Sequence, residues 1–262
     1  MARFAVALSL VLSVVYVASA QNSPQSDPQA VTLASQSIAS MTGGASVGDI
    51  TIAGSGTWTS GSNVQNVTVT LMAKGSNESR TDIRLSDGQQ SDIRNNSNGS
   101  AQGEWLDSSG NPTYYAPHNC WTDPSWFSPI LSSLNMSDPT VILSYIGVES
   151  YQGTSVYHLR SYKNPSGLSP RMTSFVNSVS AVDFYLDFSS LLPRYIAFSA
   201  HPDDDAGTNI PVVVTLSNFT SVNGILVPFR IQKSWNGNQL GDFTVSSVSF
   251  NSGLSDDLFS IQ

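Results

Sequence analysis

Apolar and polar residues alternate along much of this chain with a period of two, the signature of strands that bury one face and wet the other. Ile50, Ile52 and Trp58 mark the first such segment, Val67, Val69 and Leu71 the second, Ile83 and Leu85 the third, and Ile93 a weaker fourth. The series continues at 142–148 and 156–162. Next, Val182, Phe184, Leu186 and Phe188 alternate with Asp183, Tyr185 and Asp187, and further strands are expected at 195–199, 212–216, 225–231 and 243–250. Asp87-Gly88, Asn223-Gly224 and Asn236-Gly237 place Asn or Asp before Gly, where a tight hairpin needs positive φ. Short hairpins make neighbouring strands antiparallel. The pattern predicts a mainly β chain with a few short helices (α+β), built on a meandering antiparallel sheet of about ten strands. It excludes a doubly wound α/β fold.

Three segments switch to helical spacing. Asp27-Pro28 precedes Val31, Ala34, Ile38 and Met41, with Gly43-Gly44 after them; Asp123-Pro124 precedes Phe127, Ile130, Leu131 and Leu134; Ser169-Pro170 precedes Met172, Phe175, Val176 and Val179. Each has a capping residue, a proline at the first helical position and an apolar stripe that must lie against something larger, here the sheet. From 107 to 139 the strand rhythm gives way to Tyr114, Tyr115, His118, Trp121 and Trp126, interleaved with prolines. This stretch holds too few apolar residues for a core of its own and reads as an aromatic insertion lying over the sheet, a lid.

Residues 1–20 carry Arg3 as their only charge, an apolar run from Phe4 to Val17, and Ala18-Ser19-Ala20 at the end. This reads as a signal peptide, and the run is shorter than the roughly 20 residues of a spanning helix. The expectation is an exported protein, periplasmic or secreted, with a flexible mature N-terminus at 21–28 and a single domain over 29–262. The 262 residues include 11 Lys plus Arg against 19 Asp plus Glu, a formal net charge of −8. That balance argues against nucleic acid as a partner, because phosphate neutralisation needs clustered cations. The single cysteine, Cys120, excludes an internal disulfide and reads as a buried thiol.

No residue set rises to a catalytic signature. His118, Cys120 and Asp123 lie close in sequence, but nothing nearby supplies an oxyanion-stabilising turn. The strand–turn–helix context of a serine nucleophile is missing as well. His201-Pro202-Asp203-Asp204-Asp205 offers consecutive carboxylates, whereas calcium sites space theirs, so it reads as a solvated loop. His158 reads as a satisfied sheet residue, and Asp183 and Asp187 fall in the phase opposite to Phe184, on the wet side of their strand. Asn-x-Ser/Thr sequons at Asn66, Asn77, Asn95, Asn98, Asn135 and Asn218 reflect a composition rich in Asn, Ser and Thr. Neither a catalytic residue nor a metal or cofactor is therefore expected.

The C-terminal third carries a resemblance. The run from Asp183 to Arg194, with its Leu192-Pro193 after a turn, Asn223-Gly224-Ile225-Leu226-Val227-Pro228, and the closing Leu254 to Ser260 with Asp256-Asp257-Leu258-Phe259 are similar to the last hairpins of the LolA/LolB-like superfamily of bacterial periplasmic lipoprotein carriers. The resemblance implies an unclosed, strongly curved antiparallel sheet, an open barrel whose concave face is covered by helices, with an apolar cavity for acyl chains between them. Candidate lining residues are Phe127, Ile130, Leu131, Phe175, Phe184, Leu186, Phe188 and Phe198. The expected function is a non-enzymatic, exported binder of a lipid or lipoprotein acyl chain. The alternative is a secreted structural or adhesive module with a packed core, contacting a protein or polysaccharide through the aromatics of the insertion.

Overall fold

The computed structural model describes residues 24–97, 101–122, 126–132 and 138–262. The segment expected to be a signal peptide lies outside the described residues, as do Asp123, Pro124, Leu134 and the sequons at Asn98 and Asn135. Thirteen strands form one antiparallel sheet: β1 (Asp49–Ser60), β2 (Asn63–Lys74), β3 (Glu78–Leu85), β4 (Gly88–Asn95), β5 (Gln102–Leu106), β6 (Pro112–Tyr114), β7 (Val141–Tyr151), β8 (Thr154–Lys163), β9 (Val182–Asp187), β10 (Pro193–Ala200), β11 (Ile210–Val222), β12 (Ile225–Trp235) and β13 (Asn238–Phe250). Their spatial order is β6-β5-β4-β3-β2-β1-β13-β12-β11-β10-β9-β8-β7. Strands consecutive in sequence pair with one another except β6 and β7, and β1 with β13 joins the two meanders. The sheet is curved and open, not a closed barrel.

The expected hairpins form for the expected reason. Asn223 and Gly224 take φ of 52° and 84°, and Asn236 and Gly237 take 49° and 77°, the left-handed pair that a two-residue turn matched to strand twist requires. Asp87-Gly88 differs: Leu85 pairs with Gly88, so the turn is Ser86-Asp87 and Gly88 already belongs to β4.

The seam between β1 and β13 combines a bulge with a close backbone approach. A register shift falls between Ala53 and Gly54, and a Cβ on Gly56 would lie 1.9 Å from the Asp242 carbonyl oxygen. Only glycine lets the two backbones approach this closely, and the bulge beside it bends the sheet.

The register assigns the faces. Val67, Val69, Leu71, Ile83, Phe184, Leu186, Ile196, Phe198, Val212, Val214, Ile231 and Phe243 line the concave side in one continuous core. On the convex side the C-terminal tail lies over β3 and β4. Phe259 there is fully buried, Arg80 donates to Leu258 O at 3.3 Å, and Asn95 Nδ2 donates to Phe259 O at 3.1 Å. This cover explains why Ile93, whose register turns it to the outer face, is nevertheless 2% exposed.

Among the described residues, three α-helices accompany the sheet. In α1 (Pro28–Thr42), Asp27 caps the start by accepting from Gln29 N at 2.7 Å, and Gly43 ends the helix at φ 59°. Its buried stripe is Ala30, Leu33, Ala34, Ser37 and Met41. The expected stripe is therefore rotated: Val31 is exposed and Ile38 half-buried, because Leu33 and Ser37 complete the inward face. The helix packs against β12, β7 and α2 (Pro129–Ser132). Just before it, Asp27 N–H donates to Leu143 O at 2.8 Å and Leu143 N–H to Ser26 Oγ at 3.0 Å, so the free edge of β7 is partly covered. The described part of α2 begins at Pro129, with Phe127 lying ahead of the helix. In α3 (Pro170–Val179), capped by Ser169, only Val176 and Val179 are buried, while Met172 and Phe175 face outward. It packs on β8 and the crossover rather than in the concave core.

The strand count exceeds about ten because β5 and β6 are short. Since β6 falls within the stretch expected as insertion, the sheet persists to Tyr114, and the crossover proper runs over 115–140. Its place follows from topology. β6 and β7 are the two edges of the sheet, so the segment joining them must bridge the open side.

Candidate functional site

The crossover is stitched to both limbs of the sheet. On the β4 side, Arg94 Nη1 donates to Asn119 O at 2.5 Å, and Asn96 Nδ2 donates to Cys120 O at 2.8 Å. On the β10 side, Asn119 Nδ2 donates to His201 O at 2.7 Å, and His201 N–H donates back to Asn119 Oδ1 at 2.9 Å. Ala116 N–H donates to Asp203 Oδ1 at 3.2 Å, and His118 Nε2 lies 3.0 Å from Pro202 O. Residues 116–120 thus form a strap across the mouth. Cys120 at its end is fully buried, and burial pushes its thiol pKa up, the opposite of what an activated nucleophile needs.

Under the strap lies a cavity of about 420 Å³, within the roughly 300–1,000 Å³ typical of small-molecule sites. Trp58, Trp105, Tyr115, Phe198 and Trp235 form its apolar walls. Its polar groups are Asp92, Arg94, Asn119, His201, Asp203 and Lys233. Register brings them together. Trp58 pairs with Gly241, which pairs with Lys233, which pairs with Val214, so side chains far apart in sequence share one row of the concave face. On the opposite limb Asp92 pairs with Trp105. Arg94 Nε donates to Asp92 Oδ1 at 2.8 Å, and its guanidinium lies 3.8 Å over the Tyr115 ring. The Lys233 ammonium sits 4.3 Å from the Trp126 ring, which buries its charge beside a π-face.

The candidate lining residues divide into two groups. Phe127, Ile130, Leu131, Phe184, Leu186 and Phe198 belong to the single concave core, with Phe127 and Leu131 at 0% exposure. Of these, Phe198 reaches the cavity under the strap and Phe184 a much smaller one of about 50 Å³ bordered by Trp121, Trp126 and Val182. Phe175 and Phe188 stand outside that core. Phe175 faces outward on α3, and Phe188, half exposed, stacks on Tyr157 at 4.8 Å at the rim. Missing from the sequence-based set are Trp58, Trp105, Tyr115 and Trp235, the aromatic wall itself. The aromatic character of the insertion was a partial signal, through Tyr115.

The residues weighed for chemistry are otherwise engaged. Asp183 is on the convex face, where it receives His158 Nε2 at 2.8 Å and both nitrogens of an Arg160 fork at 2.8 and 2.9 Å. Burial would raise its pKa, but those partners outweigh it and hold the carboxyl below its usual range. Asp187 caps the β9–β10 turn, accepting from the backbone and hydroxyl of both Ser189 and Ser190. In the acidic loop, Asp205 accepts from Gly207 N and Thr208 Oγ1. No cluster of three or more potential metal ligands occurs among the described residues.

With this geometry in place, the chain aligns with solved structures of one fold. A domain assigned to outer membrane lipoprotein sorting from Vibrio parahaemolyticus is 11% identical, with a TM-score of 0.56 over 88% of this chain and 96% of that one. A LolA superfamily protein from Nitrosomonas europaea is 13% identical, with a TM-score of 0.53 over 88% and 97%. A DUF1329 family protein from Desulfovibrio piger gives 12% and 0.52 over 88% and 97%. No protein-family model and no curated protein matches the sequence. The chain thus shares the open, curved antiparallel sheet of these three structures over 88% of its length.

Proposed function

We propose that this protein is an exported, non-enzymatic binder that holds an acyl chain or lipid moiety between the strap, the helices and the concave sheet. The observation that carries the reading is the aromatic cavity under the strap, set against a concave face that is otherwise packed. The assignment of the Vibrio domain of the same fold to outer membrane lipoprotein sorting supports it. The tail of the ligand enters at Phe198 and extends toward Phe184, Leu186, Phe127, Ile130 and Leu131 as α2 shifts, while Phe188 and Tyr157 form a greasy rim. Phe175 contributes only from the outer side of α3. Residues 1–20 direct its export from the cytoplasm and are removed in the process.

Burying seven or eight methylenes contributes about 6 kcal/mol before entropy losses, a gross figure between millimolar and micromolar affinity. Native mass spectrometry of protein purified from cells should show a bound lipid mass, and delipidated protein should bind a fluorescent fatty acid saturably. Lipid-free protein that also leaves the fatty acid unbound removes the reading.

A further inference from the structure

One side chain of the cavity lining, His201, carries a polar atom that the fold leaves unanswered. His201 is 5% exposed and stands on the cavity wall. Its Nδ1 lies 3.0 Å from Thr208 O, so that nitrogen carries the proton, and in the neutral ring Nε2 is an acceptor. Nε2 is buried and has no partner. A buried polar atom without a hydrogen bond is destabilising, and such exceptions in a native protein call for an explanation. An incoming donor would remove the cost.

The rest of the lining restricts what that donor belongs to. Asp92 and Asp203 match Arg94 and Lys233 in number, so the wall is electrically balanced and gives no net attraction to an anion. Asp203 already accepts from Ala116 N and Asn119 Nδ2, and Asp92 from Arg94. Around these polar groups stand Trp58, Trp105, Tyr115 and Trp235, flat faces that suit the C–H side of a ring. We infer that the cavity under the strap is a subsite for a neutral, hydroxyl-bearing head group, such as a sugar ring, with His201 Nε2 accepting a hydrogen bond from one hydroxyl. This rests on the reading of the concave face as an apolar-ligand site and assigns the polar end of that ligand.

The test compares two amphiphiles with the same tail, n-octyl β-glucoside and sodium octanoate. Each is titrated below its micelle concentration and followed by calorimetry and tryptophan fluorescence. The wild type should bind the glucoside more tightly than octanoate. His201→Leu should weaken the glucoside about fivefold, the loss of one neutral hydrogen bond, and leave octanoate unchanged, while His201→Gln, which restores an acceptor, recovers most of the loss. Trp235→Ala provides a second variant at a half-exposed position, where folding is not at stake, and should also weaken the glucoside selectively. Equal affinity for the two amphiphiles, tighter octanoate binding, or a glucoside affinity indifferent to both substitutions overturns the subsite while the apolar reading stands. Binding of neither amphiphile overturns both.

Discussion

Gly56→Ala tests how the sheet acquires its curvature. The added methyl would sit 1.9 Å from the Asp242 carbonyl oxygen and 2.8 Å from its carbon. Both are backbone atoms held in the β1–β13 ladder, so neither can swing aside as a side chain would. Overpacking of a tight site costs about 1–3 kcal/mol, and a clash this deep belongs at the upper end. For a chain of this size each kcal/mol lowers Tm by about 2–4 °C, which gives an expected fall of about 6–12 °C. Gly61→Ala is the control, because Gly61 has φ 61° and open space around it, leaving only the left-handed penalty of about 1–2 kcal/mol. Calorimetry and urea titration followed by tryptophan fluorescence measure both. If Gly56→Ala falls no further than Gly61→Ala, the seam does not depend on close backbone approach and the account of the bend is wrong.

Three further outcomes are expected. Burial alone would raise the pKa of Asp187, but hydrogen bonds from Ser189 and Ser190 pull it from 3.8 to about 2. A carboxylate depressed in the folded state contributes stability that is complete above its unfolded pKa near 4 and is lost as pH falls through about 2. Allowing for partial exposure, that is about 1–2 kcal/mol, and Asp187→Asn should flatten urea stability against pH in this window; an unchanged slope contradicts the assignment. Cys120 should resist Ellman's reagent in native protein and react fully in urea, and rapid native labelling would show that the strap does not bury it. Phe127→Ala should cost about 3–5 kcal/mol, whereas Phe188→Ala, at the half-exposed rim, should stay within about 0.5 kcal/mol; equal losses would mean that Phe127 is not packed in the concave core.

What could be read from the sequence followed the range of each physical signal. The alternation of Phe184 and Leu186 with Asp183 and Asp187 reports burial on one face directly, and Asn223-Gly224 and Asn236-Gly237 encode their turns in two residues, so the antiparallel meander was legible. β6 was not, because Pro112, Thr113 and Tyr114 are all exposed at an edge and show no contrast between faces. Ile93 read as a weak strand position because the cover on its outer face arrives from Phe259, over 150 residues later. The α1 stripe was misphased because Ser37, a polar residue, is buried within it. The cavity was the least legible feature. Its aromatic wall is drawn from β1, β5, the crossover, β10 and β12, and only the register of a completed sheet brings those side chains together.

The strand order also has a mechanical consequence. Every pairing except β1 with β13 joins strands adjacent in sequence, so the chain is two runs of hairpins sharing one long-range contact. At that contact Ile50 faces Phe250 and Trp58 faces Gly241, which puts the start of the first strand beside the end of the last. Once α1 and the C-terminal tail have detached, tension applied to the two chain ends loads the ladder from one extremity, pair by pair, like a zipper. The molecule is therefore soft toward pulling from its termini.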